Sequence, residues 1–515
     1  MFWADREADD IKKERGNGPL VIRDEKTMSG YAHIGSMLSA AMHGVISESL
    51  AAHGVKNIYY FEFNDMDAFD GIPVYLQGKG LEEHLGKSLR DVPSPESGYD
   101  NYAEFFARDY RGVIEGAGYT PSFDFSSEWY FSGKMDGVVK EALENAEAIR
   151  KIYREVSGGV REGEWLPILM KCPTCSKIVA TEATDFDGET VHVHCRTTKP
   201  DYTKGCGFEG RLSPFGGNGK LPWKVEWAAK WKVRGVQVEG AGKDHSTKGG
   251  SHNVADHISK EVFNYPTPFF VPHEFFLVGG KKISSSKGLG STARTIFELL
   301  PPKMFRLALI GKDITQQRNF DPEGDSIPVL YDQYDKLAEG YKTTQDDDYA
   351  ELFKYIHVGQ RVPVFNGSLP RFSQVAFVVQ MPHLDIKKEF PDADSAELAE
   401  RAAYAKKWLE QYAPEKFVFK LQEVFPDVAH NLSTVQKKAL VEVLRYIVAS
   451  DAMPSGEELH QFLHGLKESV PVTPAELFSA IYLAFLGKAY GPKAGWFLSV
   501  LDHDFVLQRL KEASS

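Results

Sequence analysis

Two stretches of the chain carry the residue types needed to hold a polyphosphate. Ser29-Gly30-Tyr31-Ala32-His33-Ile34-Gly35-Ser36 stands where a short apolar run gives way to a helical pattern. A helix start offers unpaired backbone N–H groups to an anion, Gly30 and Gly35 let phosphate or base approach the chain closely, and His33 has a ring N–H to donate to a phosphoryl oxygen. The second stretch, Gly279-Gly280-Lys281-Lys282-Ile283-Ser284-Ser285-Ser286-Lys287-Gly288, spaces cations with small hydroxyls in a loop suited to gripping a phosphate chain. Each has a plainer reading: a histidine that merely caps a helix, and a solvated basic turn. The two together in one chain are uncommon.

All four cysteines fall in one region, as Cys172-Pro173-Thr174-Cys175, Cys195 and Cys206. In a cytosolic protein such clustering favours zinc thiolates over disulfides, and four soft sulfurs suit tetrahedral Zn²⁺. Four protein ligands leave no position for substrate, so the expected zinc is structural. The gap between Cys195 and Cys206 is longer than a second knuckle has, which keeps His192 or His194 open as a replacement ligand.

The elements that must position these groups follow from periodicity. An amphipathic helix over the first fifteen residues, a strand at Leu20 to Ile22, a helix from Ile34 to His53 and a strand from Asn57 to Phe63 make the strand-loop-helix-strand unit of parallel nucleotide-binding sheets. Residues 165–220 change composition and read as an inserted module. Gln237 to Gly242 and Phe269 to Gly279 supply further strands, and a helix is expected to start at Lys303 after Pro301-Pro302. From about 340 the pattern is long helices, such as Ala396 to Gln411 (N-cap Ser395), Val435 to Ala449, Gly456 to Ser469 and Pro474 to Gly487. The expected fold is therefore α/β: a Rossmann-like parallel-sheet domain in two halves, 1–164 and 221–335, interrupted by a zinc-binding module at 165–220 and followed by an all-α domain at 336–515.

Bulk properties are compatible with this. A chain of 515 residues exceeds what one core holds, and 42% hydrophobic with 26% charged residues is ordinary for globular proteins. The formal charge of −12 speaks against a phosphate-bearing partner only if no local basic strip exists. No run of about eighteen apolar residues is present and the N-terminus is acidic where a signal peptide is basic, so the expectation is a cytoplasmic location without a membrane partner.

With these motifs in place the chain resembles the class I aminoacyl-tRNA synthetases, whose signatures are a His-Ile-Gly-His-type loop and a Lys-Met-Ser-Lys-Ser-type loop on a Rossmann-like core. Within that class it resembles the class I lysyl-tRNA synthetases nearly end to end. The resemblance is carried by Phe2 to Asp5, Ser29 to Gly35, Asn64 to Phe69, Trp223 with Trp227 and Trp231, Gly242 to His245, His273 to Phe275, Lys282 to Gly288, and Ile481 to Pro492. Ser36 departs from the first signature, and Ile283 and Ser285 from the second, with Lys287 two residues beyond the inner lysine position. Some relatives carry a second metal cluster near the segment matching Pro93 to Phe106, which here has no His or Cys.

The resemblance implies activation of lysine by ATP with Mg²⁺, then transfer to the 3′ end of tRNA(Lys). It implies catalytic roles for His33, Lys282 and Lys287. ATP contacts are expected from Gly30, His33, Gly35, Ser36, Gly242, Asp244, His245, Lys282, Ser284, Ser285 and Ser286. Lysine contacts are expected from Ser29, Asp65, Asp67, Trp223, His245 and His273. Asp65 and Asp67 stand at the end of the second strand, where ligands bind in such sheets, or form a solvated turn. Trp223 covers the lysine stem or cation, or is plain core. Residues beyond 340 resemble the helical anticodon-binding cage of glutamyl-type enzymes, with Lys437, Lys438, Arg445 and the Lys488 to Lys493 segment as candidate phosphate contacts. A monomer is expected. The alternatives are a class I synthetase for glutamate or arginine and a non-catalytic tRNA-binding paralogue.

Overall fold

The computed structural model describes residues 1–161, 163–198, 200–282, 292–344, 347–357, 362–381, 384–450 and 452–515, and of Lys282 the backbone alone. Ser284, Ser285, Ser286 and Lys287 of the second motif lie outside the described residues. The chain forms two compact units, Met1–Phe320 with Lys336–Val362, and Asp321–Asp335 with Pro363–Ser515.

In chain order the first unit runs α1 (Trp3–Arg15), β1 (Leu20–Thr27), α2 (Ile34–Ala52), β2 (Asn57–Asn64), α3 (Tyr102–Gly116), β3 (Ser122–Phe125), α4 (Ser126–Phe131), α5 (Asp136–Glu144) and α6 (Ala146–Ser157). The inserted segment holds β4 (Leu169–Met170), β5 (Thr181–Thr184), β6 (Val191–Cys195), β7 (Glu209–Leu212) and β8 (Gly219–Lys220). Then come α7 (Trp223–Arg234), β9 (Val238–Gly242), α8 (Ser251–Glu261), β10 (Phe269–His273), β11 (Phe276–Val278), β12 (Lys281–Lys282), α9 (Ala293–Leu299), α10 (Pro302–Ile310), β13 (Arg318–Phe320), α11 (Ser326–Thr344), which begins in the second unit and ends in the first, and α12 (Asp348–Tyr355).

Strands β10, β9, β1, β2 and β3 make one sheet in that order, every pair parallel. The chain builds outward from β1 in one direction through β2 and β3, and in the other through β9 and β10. The reversal opens a crevice beyond the C-terminal ends of β1 and β9, the position where such sheets bind ligands. Helices α1, α2, α3, α9 and α10 pack together over one face, and α5 to α8 over the other. Strand β1 runs five residues past its expected end at Ile22, because the side chains of Arg23, Asp24, Glu25 and Thr27 find partners inside the fold. The run Phe269 to Gly279 is not one strand: β10 stays in the main sheet, while β11 leaves it to pair with β12 and β13. Helix α10 starts at Pro302, one residue early, since proline at the first helical position forfeits no hydrogen bond.

In the inserted segment β5, β6 and β7 form an antiparallel sheet and β4 pairs with β8. It is tied to the loop after β2 by Ile178 N–H donating to Gly86 O at 2.7 Å and by Lys171 Nζ at 2.7 Å from Asp91.

The second unit is helical: α13 (Phe372–Val378), α14 (Ile386–Glu389), α15 (Ser395–Gln411), α16 (Thr434–Val448), α17 (Gly456–Gly465), α18 (Pro474–Leu486), α19 (Ala494–Ser499) and α20 (His503–Ser514). Helices α16, α17 and α18 each begin with a reciprocal capping box, Ser433 with Gln436, Ser455 with Glu458 and Thr473 with Glu476. The cap of α15 is Asp394 and not Ser395. Its carboxylate accepts from the amides of Ala396 and Glu397, and its charge suits the positive helix end better than a hydroxyl does. Leu440, Val443, Ile481 and Phe497 lie at the centre of this unit's core. Among the described residues no helix is long and apolar enough to cross a membrane.

Arg306 of α10 holds the α2 layer together from within. It is 1% exposed, donates to Tyr355 O at 2.8 Å and Ala117 O at 3.2 Å, pairs with Glu48 at 2.5 Å and lies 4.1 Å over the Tyr119 ring. Replacing Arg306 by Met leaves Glu48 and two carbonyls without their donor. Urea unfolding is expected to show a loss of ~3 kcal/mol; a change below ~0.5 kcal/mol, the range of an ordinary surface substitution, would contradict this packing.

Candidate active site

A cavity of about 390 Å³ opens at the crevice of the main sheet. Helix α2 gives it one wall. His33 is the N-cap of α2 and its Nδ1 accepts from Ser36 N–H at 3.2 Å, so the ring proton sits on Nε2. The capping and phosphate-donor readings of His33 are therefore one arrangement: using Nδ1 for the cap commits Nε2–H to donation. Gly35 permits it, because a Cβ there would meet the imidazole at 2.9 Å.

The opposite wall comes from α7 and the turn after β9. Trp223 and Trp227 stand four residues apart on α7 with ring centroids 5.5 Å apart, and His245 lies 5.6 Å from Trp223 and 6.1 Å from Trp227. Gly242 and Asp244 complete this side. Trp223 is 36% exposed, a cavity wall and not core.

The floor is a buried ionic network. Arg23, fully buried, meets Glu62 at 3.1 Å, Glu239 at 2.9 Å and also Glu25. Lys230 reaches Glu62 at 2.6 Å and Glu25 at 3.1 Å; Lys220 sits 2.8 Å from both Asp67 and Glu226; Arg234 pairs with Asp124. Both Trp227 and Trp231 donate their indole N–H to Glu239. Four cations thus face six carboxylates, and three of the six, Glu25, Asp67 and Glu239, line the cavity. Burial would raise Glu62, yet Lys230, Arg23 and Arg234 hold it far below the usual carboxylate range. Burial lifts Glu239 above that range although Arg23 and the two indoles oppose it.

The structure brings His33, Gly35, Ser36, Asp67, Trp223, Gly242, Asp244, His245 and His273 to this one cavity. Ser29, Gly30 and Asp65 are elsewhere. Ser29 O accepts from Tyr102 Oη at 2.9 Å, and the space a Cβ on Gly30 would take is filled by the Tyr75 hydroxyl, 2.6 Å away. Asp65 turns from the cavity to accept from Ser127 N–H and Oγ at 2.9 and 2.6 Å. Lys282 pairs with Leu277 in β12. Asp24, Glu25, Lys26 and Glu239 line the cavity without having been singled out from the sequence, and Trp227, noted there only within a tryptophan series, lines it too. A visible signal existed for the first three: five consecutive polar residues, Arg23 to Thr27, follow an apolar start in a strand of a parallel sheet, where interior runs are normally apolar.

In the inserted segment the four cysteine Sγ atoms lie within 4.8 Å of one another, Cys172 to Cys206 at 3.5 Å and Cys175 to Cys195 at 3.6 Å. A tetrahedral thiolate site with Zn–S near 2.3 Å requires S···S distances of about 3.8 Å, so the four cysteines could hold a metal ion. Alternation along β6 puts Val191, Val193 and Cys195 on the buried face and His192 and His194 on the other, where His192 is 3.3 Å from Glu209. Neither histidine belongs to the cluster.

A parallel sheet of this order with a histidine-capped helix start at its switch point fits a class I aminoacyl-tRNA synthetase. A family model described as tRNA synthetases class I (K) matches residues 1–361. Lysine–tRNA ligases of similar sequence span the whole chain. That of Methanosarcina barkeri (strain Fusaro / DSM 804) is 31% identical, covering 100% of this chain and 98% of its own, and that of Archaeoglobus fulgidus is 30% identical with 100% of both chains covered. The Methanocaldococcus jannaschii enzyme is 28% identical over 99% of each. The chain belongs to the lysine branch of the class I tRNA synthetases.

Burial pulls His273 and His252 down to about 4. His273 Nδ1–H donates to Glu274 O at 3.0 Å, and its Nε2 has no partner among the described residues. Unfolding returns both rings to an ordinary value near 6.5, so the unfolded chain binds more protons between the two. Their contribution to stability is full above pH ~6.5 and falls as pH drops toward ~4. Urea midpoints across that interval should decline with acidification, and His273→Gln should flatten part of the slope; an unchanged slope would place His273 in a solvated setting.

Proposed function

We propose that the chain is a lysine–tRNA ligase whose cavity binds L-lysine and ATP, forms lysyl-adenylate with release of pyrophosphate, and passes the lysyl group to the 3′ end of tRNA(Lys). One observation carries this reading: the three floor carboxylates that face the cavity, Glu25, Asp67 and Glu239, and a tryptophan wall stand across from a helix start capped by His33. The carboxylates suit an ε-ammonium, and the indoles of Trp223 and Trp227 suit a methylene stem. Membership of the family supports the same substrates.

The chemistry asks little of a general base, because the attacking carboxylate is ionised at neutral pH. As its oxygen bonds to the α-phosphorus and the bond to pyrophosphate breaks, negative charge grows on the phosphoryl oxygens and the leaving group. His33 donates to the first, and the loop lysines Lys282 and Lys287 with Ser284 to Ser286 are assigned to the second. Gly35, Ser36, Gly242, Asp244 and His245 hold the nucleotide; Asp67, Trp223, His245 and His273 hold lysine, joined by Glu25 and Glu239. Mg²⁺ enters with ATP, bound chiefly by phosphate oxygens and water. Zn²⁺ on Cys172, Cys175, Cys195 and Cys206 has a structural role, since four thiolates close its coordination. The helical unit is assigned to the anticodon, and the enzyme to the cytoplasm as a monomer.

Amino-acid-dependent exchange between ATP and pyrophosphate, run with and without tRNA, tests the reading. Lysine is expected to support exchange and glutamate and arginine not; robust exchange with either of these instead would reassign the substrate. His33→Ala should lower the rate about a hundredfold, as loss of one preorganised donor does. Elemental analysis of the purified chain should find zinc, and Cys172→Ser should lose it together with thermal stability; a zinc-free protein of undiminished stability would refute the metal assignment.

A further inference from the structure

Strand β1 sends its polar residues to two opposite faces of the sheet. Arg23, Glu25 and Thr27 turn toward α7 and enter the ionic floor, where Thr27 donates to Asp67. Asp24 and Lys26 turn toward α2. There Asp24 Oδ1 accepts from Ser39 Oγ at 3.0 Å and from the amide of Glu25 at 2.9 Å, and Oδ2 lies 3.5 Å from His43 Nδ1. Asp24 is therefore tied to its own strand and to α2. The Lys26 side chain is not tied: it lines the cavity, yet among the described residues its ammonium makes no hydrogen bond and no ion pair.

An ammonium removed from water without a partner is unfavourable. Burial pushes Lys26 below the usual lysine range, with Asp24 the one group opposing it. Charge also divides the cavity. The α7 side carries Glu25, Asp67 and Glu239, which suit the cationic end of a substrate, while the α2 side carries His33 and Ser36 at a helix start, which suit the anionic end, together with one carboxylate, Asp24, already engaged by Ser39 and His43. Lys26 stands on the α2 side, where a cation has a use.

We propose that Lys26 contacts the anionic oxygens where the two substrates meet, either the amino-acid carboxylate or the α-phosphoryl group it attacks. This rests on the reading of the cavity as an amino-acid-activating centre. Lys26 keeps its protons throughout. It is a resident cation from the first strand, distinct from the lysines of the second motif, and it counters charge that the carboxylates of the floor would otherwise repel. The sequence shows it only as one more charge in Arg23 to Thr27.

Lys26→Met keeps the stem and deletes the charge; Lys26→Arg keeps the charge. With the full chain, exchange kinetics at varied lysine and varied ATP are expected to show Lys26→Met at least about thirtyfold down in kcat/KM, with Lys26→Arg recovering part of it. Thermal melting of Lys26→Met should be no lower than that of the parent, since a half-buried charge without a partner has been removed. A rise confined to the KM for lysine assigns the contact to the carboxylate. A fall in kcat, or a rise in the KM for ATP, assigns it to the phosphoryl group. Lys26→Met within twofold of the parent in all three parameters would overturn the proposal, as would an equal loss in both variants with a lowered melting temperature. The comparison is with the parent chain on whichever amino acid it activates, so a different amino acid would revise the substrate and leave the role of Lys26 readable. Calorimetric binding of ATP and of lysine reads the same contact where turnover is too slow to follow.

Discussion

A guanidinium in the middle of a parallel sheet has no water to solvate it, and Arg23 of β1 is such a group, with no exposed side-chain surface. Its neighbours on both sides must supply the compensation. Glu62 of β2 and Glu239 of β9 do so at 3.1 and 2.9 Å. Because β1 and β9 flank the switch point, these contacts fix the floor of the crevice where the ligand binds. A buried ion pair of this kind adds little net stability over apolar packing, but removing one partner leaves a stranded charge and is strongly destabilising. The network is therefore intolerant of partial change, which suits a site whose carboxylates must stay in place.

The same constraint reaches outward. Glu62 needs Lys230 and Arg234 of α7, and Glu226 of that helix accepts from Tyr130 Oη at 2.7 Å, Asn64 Nδ2 at 3.0 Å and Lys220 Nζ at 2.8 Å. Helix α7 is thereby held in register with β1 and β2, and its indoles come to the cavity edge already oriented. Lys220 closes the inserted segment and also pairs with Asp67, so that segment is tied to a residue lining the cavity. On the other face, α2 presents its histidine cap while its apolar residues Ile34, Met37, Leu38 and Val45 seal the layer.

Much of this was readable from residue order, and the failures have physical causes. The helices of the second unit were legible from their apolar periodicity, while the capping boxes that start three of them, Ser433 with Gln436, Ser455 with Glu458 and Thr473 with Glu476, were a local signal left unread. The cysteine cluster was legible because its ligands are few and soft. Strand β1 was cut short at Ile22 because charge normally ends a buried strand, and nothing local reveals that Glu62 and Glu239 wait on the neighbouring strands. Asp65 and Asp67 look equivalent in sequence, yet only Asp67 lines the cavity; Ser127, sixty-two positions later, takes Asp65. Trp227 was visible as part of a tryptophan series, but its place in the wall depends on the turn of α7 that puts it beside Trp223.

The central claim is that the floor of the cavity, with more carboxylates than cations, selects its substrate by charge. Comparing lysine with norleucine, which has the same carbon chain and lacks the ammonium, tests this most directly in the pyrophosphate exchange reaction. The account predicts that lysine exceeds norleucine in kcat/KM by at least about a hundredfold, because a site built to bond a polar group rejects an analogue that leaves its own polar groups unpaired. Comparable values for the two would contradict it.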